Sequence, residues 1–151
     1  MILRFNQKHK QNKLSLLQFL KEIRDRDFYY TRNNLRQYID TEQDLVIFCR
    51  ECEHVFVSKE KDEINGIIAI WKSAGGNIER NYVKLTAESR NIASKLLQFL
   101  EWHYPKTTHA KLSKHNKFLK EFFNRRYKFC SGRGKAVLIK KEKFQIKSKK
   151  E

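Results

Sequence analysis

Residues 55–97 read VFVSKEKDEINGIIAIWKSAGGNIERNYVKLTAESRNIASKLL. Val55, Phe56 and Val57 are consecutive β-formers, Lys59 to Asn65 is a polar turn, and Ile64 to Trp71 is a second β-rich run carrying Gly66 near its start. Together they predict a hairpin. Gly75 and Gly76 place a loop signal within Ser73 to Asn77, after which Ile78 to Thr86 returns as a third strand through Tyr82, Val83 and Leu85. A helix follows at once from about Arg90 to Trp102, with Ile92, Leu96, Leu97, Phe99 and Leu100 apolar and Pro105 just beyond as a stop. Three antiparallel strands running into a helix decide the class: a mixed α/β chain.

Towards the N-terminus, Ile2 to Phe5 form a short opening strand. Leu14, Leu17, Phe19, Leu20 and Ile23 recur at helical spacing, which predicts an amphipathic helix from about Asn12 to Arg24. Tyr29 and Tyr30 begin a connection, and Leu35, Tyr38 and Ile39 mark a second, shorter helix that Thr31 can cap. Leu45 to Cys49 fits helix or strand equally. Towards the C-terminus, a strand spans Ala110 to Ser113, and Phe118, Leu119, Phe122 and Phe123 define a helix over Lys114 to Arg126. Tyr127 to Cys130, a Gly132/Gly134 turn and Ala136 to Lys141 make a closing hairpin. The expected order is β-α-α-β-β-β-α-β-α-β-β.

With 151 residues, 40% hydrophobic and 13% aromatic, the chain has the length and apolar content of one ordinary domain. It holds one Pro and five Gly, with no low-complexity stretch and no solenoid repeat. A single domain over residues 1–144 is expected, followed by a basic tail, 145–151, that frays beyond Phe144. No apolar run approaches the roughly eighteen residues that cross a bilayer, and the opening MILRFNQKHKQNK is unlike a signal peptide, so a cytoplasmic location without membrane contact is expected. Three cysteines, an odd number, fit a reducing compartment without disulfides. Thirty-three Lys and Arg against 17 Asp and Glu give a formal charge of +16, which attracts polyanions such as nucleic acid or a phosphorylated cofactor; a solvated basic surface accounts for it equally well.

The element order, over nearly the whole chain and most closely from Val55 to Lys141, resembles that of the GNAT family of acyl-CoA-dependent N-acyltransferases. Glu88-Ser89-Arg90-Asn91-Ile92-Ala93 stands in register with the family's R/Q-x-x-G-x-G/A loop between strand and helix, and Ser94-Lys95-Leu96-Leu97 continues as the family helix does. Glu88 replaces the family's Arg or Gln, and Asn91 replaces its first Gly. Unpaired amides at a helix N-terminus favour a pyrophosphate, small residues let the backbone come close, and Asn tolerates a left-handed backbone.

The resemblance implies a GNAT-like, mostly antiparallel sheet flanked by helices, with acetyl-CoA as acyl donor and an amine of unnamed identity as acceptor. It implies cofactor contacts from the strand at Val83, Lys84 and Leu85 and from the loop at Ser89, Arg90, Asn91, Ile92, Ala93, Ser94 and Lys95. Asn116, which opens the later helix, and Phe123, which stands where the family places an aromatic, usually Tyr, near the cofactor sulfur, complete the set. Phe cannot donate a proton, so Tyr127 or water supplies it, and Glu79 or Glu88 is the general base. A second reading is a GNAT-like module with altered chemistry that binds or modifies nucleic acid. Either form is a monomer or a homodimer.

Cys49, Cys52 and His54 offer up to three zinc ligands at C-x-x-C spacing, but a closed site needs a fourth, so buried cysteines and no metal are expected. His103, His109 and His115 read as surface or capping residues, and Trp71 and Trp102 as core. Arg125, Arg126, Lys128, Arg133 and Lys135 surround Tyr127 in a basic cluster able to contact nucleic-acid phosphates or the adenosine 3′-phosphate of coenzyme A, or else to form a solvated face.

Overall fold

The structure, a computed structural model, describes the backbone of residues 1–24, 39–75, 78–104, 109–113, 121–122, 127–133 and 136–141, and side chains over 1–23, 39–70, 83–104 and 121–122. Its elements in chain order are β1 (Ile2–Arg4), α1 (Lys10–Arg24), α2 (Glu42–Glu51), β2 (Cys52–Glu60), β3 (Glu63–Gly75), β4 (Ile78–Ala87), α3 (Arg90–His103), β5 (His109–Ser113), β6 (Tyr127–Arg133) and β7 (Ala136–Lys141). The strands form one sheet in the order β1-β2-β3-β4-β5-β7-β6. Every neighbouring pair is antiparallel except β4 with β5, which α3 joins as the crossover of a β-α-β unit.

Both faces of the central strands are apolar. Val55, Val57, Ile64, Ile67 and Ala69 pack with Leu16, Leu20, Leu45 and Phe48 of α1 and α2. Phe56, Ile68, Ile70, Val83 and Leu85 pack with Leu96, Leu97 and Leu100 of α3. Successive residues therefore serve opposite layers, which is why Ile67 to Ile70 reads as an unbroken apolar run. In α3 the wholly buried positions are Ala93, Leu96, Leu97 and Leu100, spaced three and four apart on one stripe. Each such leucine contributes roughly 1.5–3 kcal/mol relative to exposure.

Leu45 to Cys49, undecided from sequence, is helical: α2 starts on a capping box in which Thr41 Oγ1 accepts the Asp44 N–H at 3.1 Å and the Asp44 carboxylate accepts the Thr41 N–H. Hydrogen bonds from the Asp40 and Thr41 backbone hold the Asp44 carboxyl below its ordinary range. Leu35 and Tyr38 of the expected shorter helix with its Thr31 cap, the Pro105 stop and most of the helix over Lys114 to Arg126 lie outside the described residues, while Ile39 is described and is buried in the α1/α2 core outside any helix. Phe122, which is described, is buried against the α3 core, as its helical spacing suggested.

The polar turn expected over Lys59 to Asn65 contracts to Lys61 and Asp62, both left-handed with φ of 52° and 67°, so β2 and β3 extend into it. Likewise β3 runs through the expected loop as far as Gly75. Leu14 is half exposed, and Leu16 takes its place in the core. Trp102 is 81% exposed and is no core residue: it lies two positions past Leu100, about 200° round the helix from it.

β3 carries an extra residue opposite β2, since Ser58 pairs with Gly66 and Lys59 with Ile64, leaving Asn65 as a bulge. The backbone beside the bulge bonds to both neighbours, out of the sheet at Ile64 and along the β3–β4 register at Asn65. The Ile64 N–H donates to Ser15 Oγ of α1 at 3.0 Å, and the Asn65 carbonyl accepts the Glu88 N–H at 2.9 Å. Gly66 then lets α3 seat closely, because a Cβ there would meet Leu96 Cδ1 at 2.7 Å and Ile92 Cγ2 at 2.8 Å. Gly66→Val should destabilise the protein by about 1–3 kcal/mol through overpacking; urea unfolding checks this, and an unchanged midpoint would show that α3 yields freely.

Candidate active site

β4 pairs with β3 along its whole length, from Ile78 opposite Gly75 to Ala87 opposite Gly66. With β5 it pairs at Tyr82–His109 and Val83–Ala110, and among the described residues the two strands share no further register. From Leu85 onward the outer edge of β4 has no partner strand among the described residues, which suits an extended ligand. The gap faces the carboxyl ends of two parallel strands joined by a helical crossover, the position at which open α/β sheets bind ligands.

α3 begins at this open end. Ser89 is its N-cap, with Oγ accepting the Ile92 N–H at 3.3 Å and its carbonyl accepting the Ala93 N–H at 3.0 Å. The amides of Arg90 and Asn91 come in the first turn, where no carbonyl of the helix can receive them and the helix dipole favours an anion. Arg90, Asn91 and Lys95 are exposed around that end, while Ala93 is wholly buried on the core stripe. The loop does not use a left-handed residue as its sequence suggested. Asn91 is already within α3, and among the described non-glycine residues only Lys61 and Asp62 have positive φ. Two residues, Glu88 and Ser89, make the whole turn from strand to helix.

The expected site residues divide by position. The side chains of Val83 and Leu85 lie in the α3-side core, so only their backbone faces the gap. Lys84 points to the opposite layer, its Nζ 5.5 Å from the ring centre of Phe48. Ile92 is half-buried against the core, and Ser94, two positions on, is half-buried as well. Glu88 is exposed at the open end of the gap, beside the cap. Glu79 lies on β4 opposite Ala74, beyond the closed end. Tyr127 opens β6, opposite Lys141 of β7. The side chains of Glu79 and Tyr127, and Asn116 and Phe123 altogether, lie outside the described residues, as do the basic side chains around Tyr127.

Register also brings together a pair that sequence reading missed. Tyr82 and His109, 27 positions apart in the chain, are neighbours at the closed end. Nothing local to His109 signals this, because the pairing depends on the crossover through α3.

Cys49, Cys52 and His54 do not converge. The register shift between Cys52 and His54 turns successive side chains to opposite faces: Cys52 joins the α1/α2 core, while His54 stacks on Tyr104 at 4.2 Å on the α3 side. Burial raises the Cys49 thiol to about 11 and the Cys52 thiol to about 12, the latter despite the opposing charge of Lys84. Both are therefore poor nucleophiles at neutral pH. Iodoacetamide at pH 8 should alkylate Cys49 and Cys52 at least tenfold more slowly in the folded protein than in urea, read by peptide mass spectrometry; equal rates would contradict their burial.

No family model and no curated protein matches the sequence. Solved structures do match its fold. An aminoglycoside 6′-acetyltransferase of type Ii aligns over 93% of this chain and 96% of its own, with a TM-score of 0.65 and 17% identity. The ribosomal-protein-alanine N-acetyltransferase of Brucella melitensis aligns over 94% and 98%, with a TM-score of 0.66 and 11% identity. PaiA N-acetyltransferase of Thermoplasma acidophilum, solved in complex with coenzyme A, gives the same coverage and TM-score at 12% identity. The fold is thus that of the GNAT acetyltransferases, matched along nearly the full length of each chain. Among the described residues no helix is long and apolar enough to cross a membrane.

Proposed function

We propose that the protein is an acyl-CoA-dependent N-acyltransferase, with acetyl-CoA as donor and a primary amine as acceptor. The observation that carries this reading is the parting of β4 from β5 after Val83 and Ala110, directly beside the N-terminus of α3. A strand edge without a partner among the described residues and the start of a helix beside it suit a ligand with an extended amide-bearing arm and a pyrophosphate. The edge of β4 from Leu85 to Ala87 would hold the arm, and the start of α3 at Asn91 the pyrophosphate, with the charges of Arg90 and Lys95 offsetting the carboxylate of Glu88. Bound there, acetyl-CoA supplies an activated acyl group at the closed end of the gap.

Glu79 is the general base in this reading. It lies on the closed side, four residues before Val83 and about 13 Å along the strand from it, so it takes the amine's proton through intervening water, whereas Glu88 stands at the phosphate end. Tyr127 is three strands from β4, about 14 Å away in the plane of the sheet, so water rather than Tyr127 is the nearer proton source for the leaving group. Positioning of the amine against the acyl group then supplies most of the acceleration.

Acetyl-CoA at a hundred times its dissociation constant should stabilise the native state by about 2.7 kcal/mol, seen as a rise in melting temperature that Asn91→Asp diminishes. With an amine that serves as substrate, Glu79→Gln should lower kcat/KM by roughly 10²–10⁴ and remove the acid limb of its pH profile while keeping the acetyl-CoA shift. An unaltered profile would exclude Glu79 as the base.

One observation favours the second reading, a GNAT-fold binder of nucleic acid. Exposed Trp102 lies on a groove of about 1010 Å³ along α3 that also carries Lys59, Lys95 and His103, an arrangement that suits base stacking beside phosphates. No shift with acetyl-CoA, joined to a salt-sensitive shift with oligonucleotides, would make that reading the better one.

A further inference from the structure

Lys95, Gln98 and Trp102 are spaced three and four apart on α3, so they form one stripe of the helix, and all three are exposed. The stripe lines the groove of about 1010 Å³ whose facing wall is made by Met1, Ile2 and Ser58 of the β1–β2 side. The gap beside β4 lies on the other flank of α3, because β3 and β4 separate β1 and β2 from β5 in the sheet.

The side chains of this groove are unevenly engaged. Phe99, His103 and Tyr104 each meet another ring, whereas Trp102, 81% exposed, meets none among the described residues. Lys59 turns its ammonium to Asn12 Oδ1 of α1 at 2.8 Å, and the Glu60 carboxylate accepts from Asn65 Nδ2 at 3.4 Å, towards the start of α3. Lys95 and Gln98 have no such partner among the described residues. A cation, an amide and an indole therefore line the groove in a row of about 10 Å, the length of roughly three stacked nucleotides. A second copy of this chain is a poor occupant, since it would add a further formal charge of +16.

We propose that the groove binds a single strand of nucleic acid, with one base stacked on the Trp102 indole, Gln98 hydrogen-bonded to a base edge and Lys95 meeting a phosphate. A duplex keeps its base faces stacked inside, so the indole selects single strands. A strand held on this flank of α3 leaves the gap beside β4 free. The proposal rests on the nucleic-acid reading and deepens it, by assigning the contact to three side chains of one helix rather than to the basic surface at large.

The test is fluorescence anisotropy of the full chain, at about 0.15 M salt, with a short labelled single-stranded RNA and with the duplex of the same sequence. Trp102→Leu, which alters no charge, should weaken single-strand binding about fivefold or more and leave duplex binding within about twofold. Gln98→Ala should weaken single-strand binding by a smaller factor. Both residues are exposed, so the variants are expected to fold, and their melting temperatures verify it. Undiminished single-strand affinity in Trp102→Leu, or an equal loss for the duplex, would overturn the proposal while a binder of nucleic acid through another surface survives. Binding of neither probe by the unaltered chain would remove both.

Discussion

Three consecutive residues, Ile64, Asn65 and Gly66, fasten both helical layers to the sheet. The Ile64 N–H is held by Ser15 of α1, the Asn65 carbonyl by the amide that precedes the α3 cap, and the bare Cα of Gly66 receives Ile92 and Leu96. A bulge normally leaves the strand with unpaired groups. Here those groups become the attachment points of the neighbouring layers, so the position of the α3 N-terminus, and with it any anion held there, is set from the middle of the sheet rather than by the two-residue turn alone.

The other end of α3 is fixed differently. Tyr104, the C-cap residue, stacks on His54 of β2, and Arg4 of β1 donates to the Tyr104 hydroxyl at 2.9 Å while lying 4.9 Å from the centre of the Phe56 ring. Phe99 meets Phe56 edge-on at 4.9 Å. These contacts are polar, aromatic and partly exposed, in contrast to the dry leucine stripe between them. The helix is thus held at its start by backbone hydrogen bonding and close approach, along its length by burial, and at its end by stacked rings. The edge strand β1, only three residues long, gains a second attachment beyond its ladder with β2.

Much of this was legible in the sequence. Apolar runs bounded by the polar turn over Lys59 to Asn65 and the loop signal at Gly75 and Gly76 mark the strands, and Ile92, Leu96, Leu97, Phe99 and Leu100 mark α3. Trp102, expected in the core, is exposed because its phase on α3, about 200° from Leu100, turns it away from the apolar stripe. Leu45 to Cys49 stayed undecided because a five-residue apolar run suits either element; the Thr41/Asp44 capping box was the signal that decides it. The site was legible only where it is local. Ser89 and the residues after it are contiguous, so the helix start could be read. The gap beside β4 and the Tyr82–His109 pairing draw on strands and a helix far apart in the chain, and the bulge at Asn65 leaves no mark that distinguishes it from any Asn-Gly in a strand.

Because the central hairpin is apolar on both faces, sliding β3 past β2 by one residue would exchange its two sets of side chains without exposing a greasy surface to water. In most half-buried sheets the penalty for such exposure enforces alignment. Here alignment falls to two local devices, the tight turn at Lys61 and Asp62 with both residues left-handed, and the stapled bulge at Asn65. The turn is local to the hairpin, but the bulge is not fastened until α1 and the start of α3 have arrived, so during folding the strand beyond it can sample shifted pairings of similar energy. The slow step is then the arrival of the helices that select one alignment, and kinetic errors in this molecule should take the form of frame-shifted strands rather than an unformed sheet.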